Sequence, residues 1–226
     1  CNKHRHMENA ILGRDRSEFN SDYQFWKWIR DESNLPTLRL NIKFPYKEVL
    51  QEVLKIENRF VKHRGDMHPG WESMCIHGVS TEHTDDWRSD AYDFTEKPVH
   101  TWTDIAEDCP TMKSWLENNF PMDIYDRVRF MMLRPGGYIQ PHQDYDNRSL
   151  NAINIGLNNP KGCVFAMEEA GSIPWRDGDV RLIDIGRQHC VYNNSNEDRI
   201  HIIIHGNQTE EFNKLANESY TSLGTF

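Results

Sequence analysis

Arg134–Tyr145 reads RPGGYIQPHQDY, and the reading of this stretch decides the fold. RPGG is turn chemistry, with proline presetting one corner position and glycine accepting the next. The residues after it have the texture of a strand. In an extended strand successive side chains point to opposite faces, so His142 and Asp144 are expected on the same side, one pleat apart. Two good metal ligands then face one pocket.

The texture on either side agrees. From Met122 onward short apolar runs alternate with turn signals: DRVRFMML, the RPGG turn, YIQPHQDY, NAINIGL, the turn NNPKG, CVFAM, IPW, the turn RDGD, VRLIDI, HCVYNN and RIHIIIHG. That spacing predicts a compact antiparallel sandwich or barrel of about eight strands. Before it, SDYQFWKWIRDES reads as an amphipathic helix capped by Ser21, with Phe25, Trp28 and Ile29 on one stripe. LRLNI and WESMCIHGV read as strands, and PYKEVLQEVLKIENRF and CPTMKSWLENNF as helices with Pro45 and Pro110 near their starts. Thr81 to Val99 is a charged, aromatic loop without clear period, a candidate lid. QTEEFNKLANESY is expected as a surface helix. The chain of 226 residues fits a single domain: 1–121 as support and lid, 122–206 as a β core, 207–226 as a C-terminal helix and tail.

Composition excludes several function classes. A net charge of −9 opposes the basic surface that phosphate contacts require, so no nucleic-acid partner is expected. Mean hydropathy is −0.79, and no apolar run approaches the roughly 20 residues of a membrane span, so no membrane association is expected. The five cysteines, Cys1, Cys75, Cys109, Cys163 and Cys190, are scattered without a CxxC pair, which predicts neither a disulfide framework nor a cysteine zinc site. A reducing, cytoplasmic setting is the expectation. The chain starts at Cys1 without a signal-peptide pattern, so its natural start is expected to lie further upstream. Nothing in the sequence fixes an oligomeric state.

His142 and Asp144 need a third ligand, and the candidates nearby are His189, His201 and His205. His189 stands at the mouth of a strand after a glycine turn. Two histidines and one carboxylate on a single face form the facial triad of non-haem Fe(II), which leaves adjacent positions open for chemistry. In RIHIIIHG, alternation puts Ile200, Ile202 and Ile204 on one face and Arg199, His201 and Ile203 on the other. An arginine facing into a β wall is costly without an anionic partner. A dicarboxylate such as 2-oxoglutarate, chelating iron at its keto-acid end, brings that partner at its far carboxylate. Arg127 and Arg129 alternate on RVRF and read as edge-strand charges, while Trp71, Trp87 and Trp102 read as packing on the barrel flank. His63, His68, His77, His83 and His100 have no ligand spacing and read as scattered loop histidines.

LRPGGYIQPHQD, INIGL and WRDGDVRLIDIGRQHCVYNNSNEDRIHIIIHG together resemble the aspartyl/asparaginyl β-hydroxylase family of Fe(II)- and 2-oxoglutarate-dependent oxygenases, over about residues 122 to 206. The resemblance implies a mainly β fold with flanking helices, the double-stranded β-helix (jelly-roll, cupin-like) barrel. It implies Fe(II) bound by His142, Asp144 and His189 as the catalytic centre, and Arg199 as the co-substrate arginine. Asn154 falls where members commonly carry a histidine that helps hold 2-oxoglutarate, and His201 where related oxygenases place a co-substrate hydroxyl. Met131 stands near the position of a co-substrate serine in some members. The reaction implied consumes O2 and 2-oxoglutarate, releases succinate and CO2, and hydroxylates an amino acid, free or within a peptide. Retention of Asp144 tilts the reading toward a small substrate, and toward hydroxylation over halogenation. Two rivals remain on the same barrel: a non-catalytic cupin-like binding module, and a zinc hydrolase or isomerase, which has no need of Arg199.

Overall fold

The structure is a computed structural model that describes residues 13–64, 67–88, 92 and 94–224. Among the described residues four α-helices pack on a β structure: α1 (Asp22–Asp31), α2 (Tyr46–Lys55), α3 (Pro110–Asn118) and α4 (Glu210–Thr221). The strands are β1 (Thr37–Arg39), β2 (Val61–Lys62), β3 (Trp71–Gly78), β4 (Thr101–Trp102), β5 (Met122–Leu133), β6 (Tyr138–His142), β7 (Leu150–Asn158), β8 (Cys163–Met167), β9 (Gly171–Ser172), β10 (Val180–Asp184), β11 (His189–Asn193) and β12 (Arg199–Gln208). They form a large sheet in the order β1-β10-β7-β12-β5-β3-β2, with β4 on β3, and a small sheet in the order β6-β11-β8-β9. Every pairing is antiparallel. This is the mainly β, jelly-roll arrangement with flanking helices.

Strict alternation on the large sheet separates two cores. Val128, Phe130 and Met132 on β5, Ile153, Ile155 and Leu157 on β7, and Ile200, Ile202 and Ile204 on β12 pack under the helices. Met131 and Leu133 on β5, Ala152 on β7 and Ile183 on β10 face the small sheet, where Ile139, Phe165, Met167 and Val191 meet them. Both faces of the central strands are therefore buried, so each strand reads as nearly continuous apolar sequence. The site lies on the second, inter-sheet side.

The helices form where the sequence places them. Ser21 Oγ accepts the Gln24 N–H at 3.1 Å and caps α1, which buries Phe25, Trp26 and Ile29. The α1 stripe therefore includes Trp26, with Trp28 only partly buried beside it. Glu52 on α2 accepts the Thr111 and Met112 N–H groups at 2.7 and 3.3 Å, so one helix caps the start of the next. Helix α4 is more than a surface helix: Phe212, Ala216 and Tyr220 are buried, and Tyr220 meets Phe25 of α1 edge-on at 5.7 Å. In the RPGG turn Gly137 N–H donates to Arg134 O at 2.8 Å, and Gly136 has φ +78°, the left-handed value glycine tolerates. IPW is not a strand. The short β9 precedes it, and Ile173 and Trp175 pack between the sheets. The described part of the loop from Thr81 onward is pinned by Arg59, which pairs with Glu82 and Asp104 at 2.8 and 3.0 Å.

Candidate metal centre

His142 and His189 are far apart in sequence, but β6 and β11 pair so that the two are cross-strand partners. Directly opposed residues on one face hold their Cβ atoms roughly 5 Å apart, and here the rings are 4.4 Å apart between centroids. Asp144 arrives differently from the sequence expectation. Strand β6 ends at His142, and Asp144 sits just beyond it, its N–H donating to Ile185 O at 2.9 Å. That bond turns the carboxylate back to the histidines, with Oδ1 3.5 Å from His142 Nε2. One ligand atom from each of His142, Asp144 and His189 lies within 4.8 Å of the other two.

The two imidazoles are oriented as ligands. His142 Nδ1 lies 2.7 Å from Gln140 O, and His189 Nδ1 lies 2.8 Å from Arg187 O. A carbonyl only accepts, so each Nδ1 carries the proton and donates, and each Nε2 lone pair is left for a metal. Adjacent donors of an octahedral ion at about 2.1 Å lie about 3 Å apart, so modest side-chain rotation closes this set on an ion. Three protein donors leave open positions on one side. The Asp144 hydrogen bond raises the pKa of His142, while burial lowers that of His189. Burial works to raise Asp144, but the His142 hydrogen bond and the neighbouring histidine and Arg64 charges outweigh it and hold the carboxylate low.

Behind the triad, Arg187 is 2% exposed. Its guanidinium donates to Asp184 at 3.0 Å, Glu169 at 2.9 Å, and the carbonyl and side-chain oxygens of Asn34 at 2.7 Å each. Asp184 also accepts the Ser149 and Gly186 N–H groups at 2.9 and 3.1 Å. A Cβ at Gly186 would overlap the carbonyl of Asn147. The turn from Asp184 to Gln188 is thus locked, and its Ile185 and Arg187 carbonyls orient two of the three ligands.

Deeper between the sheets Arg199 is 2% exposed, and among the described residues no carboxylate lies within ion-pair distance of it. Its Nη1 donates to His201 Nδ1 at 2.9 Å and its Nε to Asn159 Oδ1 at 3.3 Å. Burial pushes the guanidinium down to about 10. Because Arg199 can only donate, His201 accepts at Nδ1 and carries its proton on Nε2. His201 is held neutral, its pKa lowered well below the ordinary value by burial and then by Arg199. Asn154, also buried, is the register partner of Ile203, four residues along β12 from Arg199, and among the described residues it shares no hydrogen bond with Arg199 or His201.

Two residues, Trp71 and Arg129, were misplaced by sequence reasoning. Trp71 lies between the sheets, 4.3 Å from the His63 ring and 5.3 Å from the His68 ring, rather than on the flank. His68 stands 5.9 Å from His142. Arg129 is 6% exposed on a central strand, not an edge charge. His205 is outside the triad; its Nε2 accepts from Arg129 Nη2 at 3.2 Å. His63 is buried with Nδ1 2.9 Å from Ser73 Oγ and 3.2 Å from Thr84 Oγ1.

A model of the family described as Aspartyl/Asparaginyl beta-hydroxylase matches residues 26–208, most of the chain and all of this site. The chain belongs to the aspartyl/asparaginyl β-hydroxylase family. This hydroxylase is accordingly an Fe(II)- and 2-oxoglutarate-dependent enzyme with O2 as co-substrate. No curated protein matches it. Among solved structures it is similar to a prolyl hydroxylase from Trichoplax adhaerens in complex with a hypoxia-inducible-factor oxygen degradation domain peptide. Identity is 12%, coverage 95% of this chain and 98% of that one, and the TM-score 0.51. HygX from Streptomyces hygroscopicus, with nickel, 2-oxoglutarate and hygromycin B bound, shares 11% identity over 83% of this chain and 87% of its own, at a TM-score of 0.48. At 12% identity the likeness to the prolyl hydroxylase concerns the fold.

Proposed function

We propose that His142, Asp144 and His189 hold the ferrous ion, that Arg199 and His201 bind the far carboxylate of 2-oxoglutarate, and that the enzyme hydroxylates an amino acid, free or within a peptide. The observation that carries this reading is the pairing of a convergent ligand triad with a buried guanidinium that has no carboxylate partner among the described residues. The donor set suits iron: two imidazole Nε2 atoms with their Nδ1 protons anchored, and one ionised carboxylate.

Each residue has its own task. Arg199 presents charged donors to the C5 carboxylate, and the His201 Nε2–H adds a neutral one. Asn154 is displaced along the sheet from Arg199 and serves the end of the co-substrate that faces the metal. Phe165, Trp175 and Met131, with Ile203 packed against them, form an apolar cluster between the sheets, which excludes water and strengthens charged contacts beside it. Bound ferrous iron supplies the redox chemistry: O2 and 2-oxoglutarate are consumed, succinate and CO2 leave, and one oxygen atom enters a substrate C–H bond. His142 and Asp144 are partly exposed, so the open face of the centre admits a free amino acid or a peptide chain. Four free cysteines among the described residues support a reducing, cytoplasmic setting.

The test is succinate formation from 2-oxoglutarate under air with Fe(II) and ascorbate, across a panel of amino acids and short peptides. Wild type is expected to form succinate together with a hydroxylated product, and His189→Ala to form neither. A wild type that binds metal and 2-oxoglutarate without turnover on any member would establish the non-catalytic binding module instead.

A further inference from the structure

Two neighbouring strands of the large sheet part company close to the metal ligands. Strand β7 pairs with β12 only as far as Ile153 and Ile204. Beyond that point β7 stays with β10 to Leu150, while β12 runs on beside β5 to Gln208. From His205 to Gln208 β12 therefore has a strand partner on one side only. The wedge between the splayed strands is a groove of about 410 Å³, with Asn151 and Ala152 of β7 on one wall and His205 to Gln208 of β12 on the other. Tyr23 of α1 and Asn213 of α4 line it beside them, and Tyr145 and Ile185 complete it. Tyr145 follows Asp144 in the chain, and Ile185 O accepts the Asp144 N–H at 2.9 Å, so this part of the groove adjoins the metal centre.

The polar groups of this groove want partners. Asn213 is 8% exposed, yet its carboxamide makes no hydrogen bond among the described residues, and neither does that of Asn151. His205 Nε2 accepts from Arg129 Nη2 at 3.2 Å, so Nδ1 carries the proton and is left as a donor. Gln208 Oε1 accepts the Trp26 indole N–H at 3.0 Å, which leaves its NH2 group available. Among the described residues Arg30 is the single charged side chain of the lining, and Asp31 engages it at 2.8 and 2.9 Å. The surface thus offers donors and acceptors in mixture and little unpaired charge. A carboxamide and an open strand edge are both complemented by the alternating N–H and C=O groups of a peptide main chain. A folded second copy of this chain fits poorly, because the open edge is only four residues long and stands inside a wedge flanked by two helices.

We propose that this wedge binds the main chain of an extended peptide, added as a short strand to the open edge of β12, and that the substrate is a peptide or protein segment rather than a free amino acid. The proposal rests on the reading that the triad and Arg199 form a hydroxylase centre. The residue to be hydroxylated stands over the metal, and its neighbours on one side run along His205 to Gln208. At about 3.3 Å per residue that stretch spans roughly 10 Å, the reach of about three extended residues. Asn151, Asn213 and the His205 Nδ1–H bond to main-chain groups of this flank, so its side chains matter little. Strand addition draws affinity from backbone hydrogen bonds and leaves selection to the residue at the metal.

The experiment uses the full chain loaded with Mn(II), which supports no turnover here, and 2-oxoglutarate, with binding measured by calorimetry. The probes are blocked heptapeptides with three alanine or serine residues on each side of a central residue, varied through all the common amino acids, set against the free amino acids and their N-acetyl amides. At least one heptapeptide is expected to bind about 10-fold or more tightly than the free amino acid and the N-acetyl amide of the same centre, as two or three main-chain hydrogen bonds imply. Alternate residues of an added strand face the edge it joins, so N-methylation of one alternate set of flanking residues should abolish the gain and N-methylation of the other should spare it. Asn213→Ala should weaken the heptapeptide by about 2- to 10-fold, and Asn151→Trp, which fills the wedge from an exposed position, should remove the gain. Equal binding of heptapeptide and free amino acid, no binding by any heptapeptide, indifference to N-methylation, or an unchanged gain in Asn151→Trp overturns the proposal. Self-association of the wild type that Asn151→Trp abolishes also overturns it, by giving the edge to a second copy. The hydroxylase reading fails separately, if heptapeptides bind in this pattern and the Fe(II)-loaded enzyme forms no succinate with any probe.

Discussion

Replacing Arg199 by methionine should move stability and co-substrate binding in opposite directions. In the ligand-free protein no carboxylate among the described residues pairs with the buried guanidinium, and burial pushes its pKa down to about 10. At about 1.4 kcal/mol per unit, that shift corresponds to roughly 3 kcal/mol by which folding disfavours the charge. Methionine keeps an apolar stem in the same space and removes the charge, giving up hydrogen bonds to His201 and Asn159 worth roughly 1 kcal/mol each. The ligand-free variant should therefore be at least as stable as wild type, by up to about 1 kcal/mol. That is a rise in Tm of up to roughly 4 °C for a chain of this size. Binding should change the other way. Losing two charge-assisted hydrogen bonds of roughly 1.5–3 kcal/mol each weakens 2-oxoglutarate by about 100-fold or more. The assay is thermal denaturation of the metal-loaded protein with and without 2-oxoglutarate. Wild type should gain about 2.7 kcal/mol at 100 times its Kd, and the variant no more than about 0.4 kcal/mol at the same concentration. A variant that loses 2 kcal/mol or more without ligand, yet is still stabilised by 2-oxoglutarate as wild type is, would refute this reasoning and make Arg199 a structural residue.

Other outcomes follow from the same contacts. Gly186→Ala should push the Asp184–Gln188 turn off the Asn147 carbonyl and misdirect Asp144 and His189 together; metal affinity, by competition with a chelator, should fall about 10- to 100-fold. Arg187→Met should leave the Asp184 carboxylate buried and unpaired, with a loss of roughly 3–5 kcal/mol by urea denaturation. Metal-free protein should lose stability in mild acid, because burial holds His63 at about 2, His205 at about 3 and His201 far below its ordinary value. Below pH 6.5 the unfolded chain takes up protons that these folded histidines refuse. Their stabilisation is complete above that pH and falls by about 4 kcal/mol at pH 5.5, less the part returned by His142, whose pKa is raised; urea midpoints that stay flat from pH 7.5 to 5.5 would contradict it. Ser21→Ala should cost about 1 kcal/mol through the α1 cap, with metal binding unchanged.

The triad was legible because its signals are local. A turn, an HxD pair and a histidine after a glycine turn each occupy a few residues, and the alternation of β12 fixes which side Arg199 takes once Ile200, Ile202 and Ile204 are assigned to the core. The position of Asp144 was half legible: the sequence shows the spacing but not that β6 stops at His142 and that a bond to Ile185 does the turning. Arg129 was misread for a non-local reason. Alternation says that Arg127 and Arg129 share a face, but only pairing with both β3 and β12 makes β5 central and buries Arg129 on the inter-sheet side. Trp71 was misassigned for the same reason, since partners distant in the chain decide which face of β3 looks inward. Helix α4 carries Phe212, Ala216 and Tyr220 at helical spacing, a stripe that called for a partner; the sequence does not say that the partner is α1.

The most direct measurement is an anaerobic titration of the Fe(II)-loaded protein with 2-oxoglutarate, followed by visible absorption. Chelation of the keto acid by iron in a two-histidine, one-carboxylate site produces a charge-transfer band that neither component shows alone. Wild type should develop the band to saturation at one equivalent of iron, His189→Ala should develop none, and Arg199→Met should require far more 2-oxoglutarate to reach it. A wild type with no band, or a full-strength band in His189→Ala, would contradict the account.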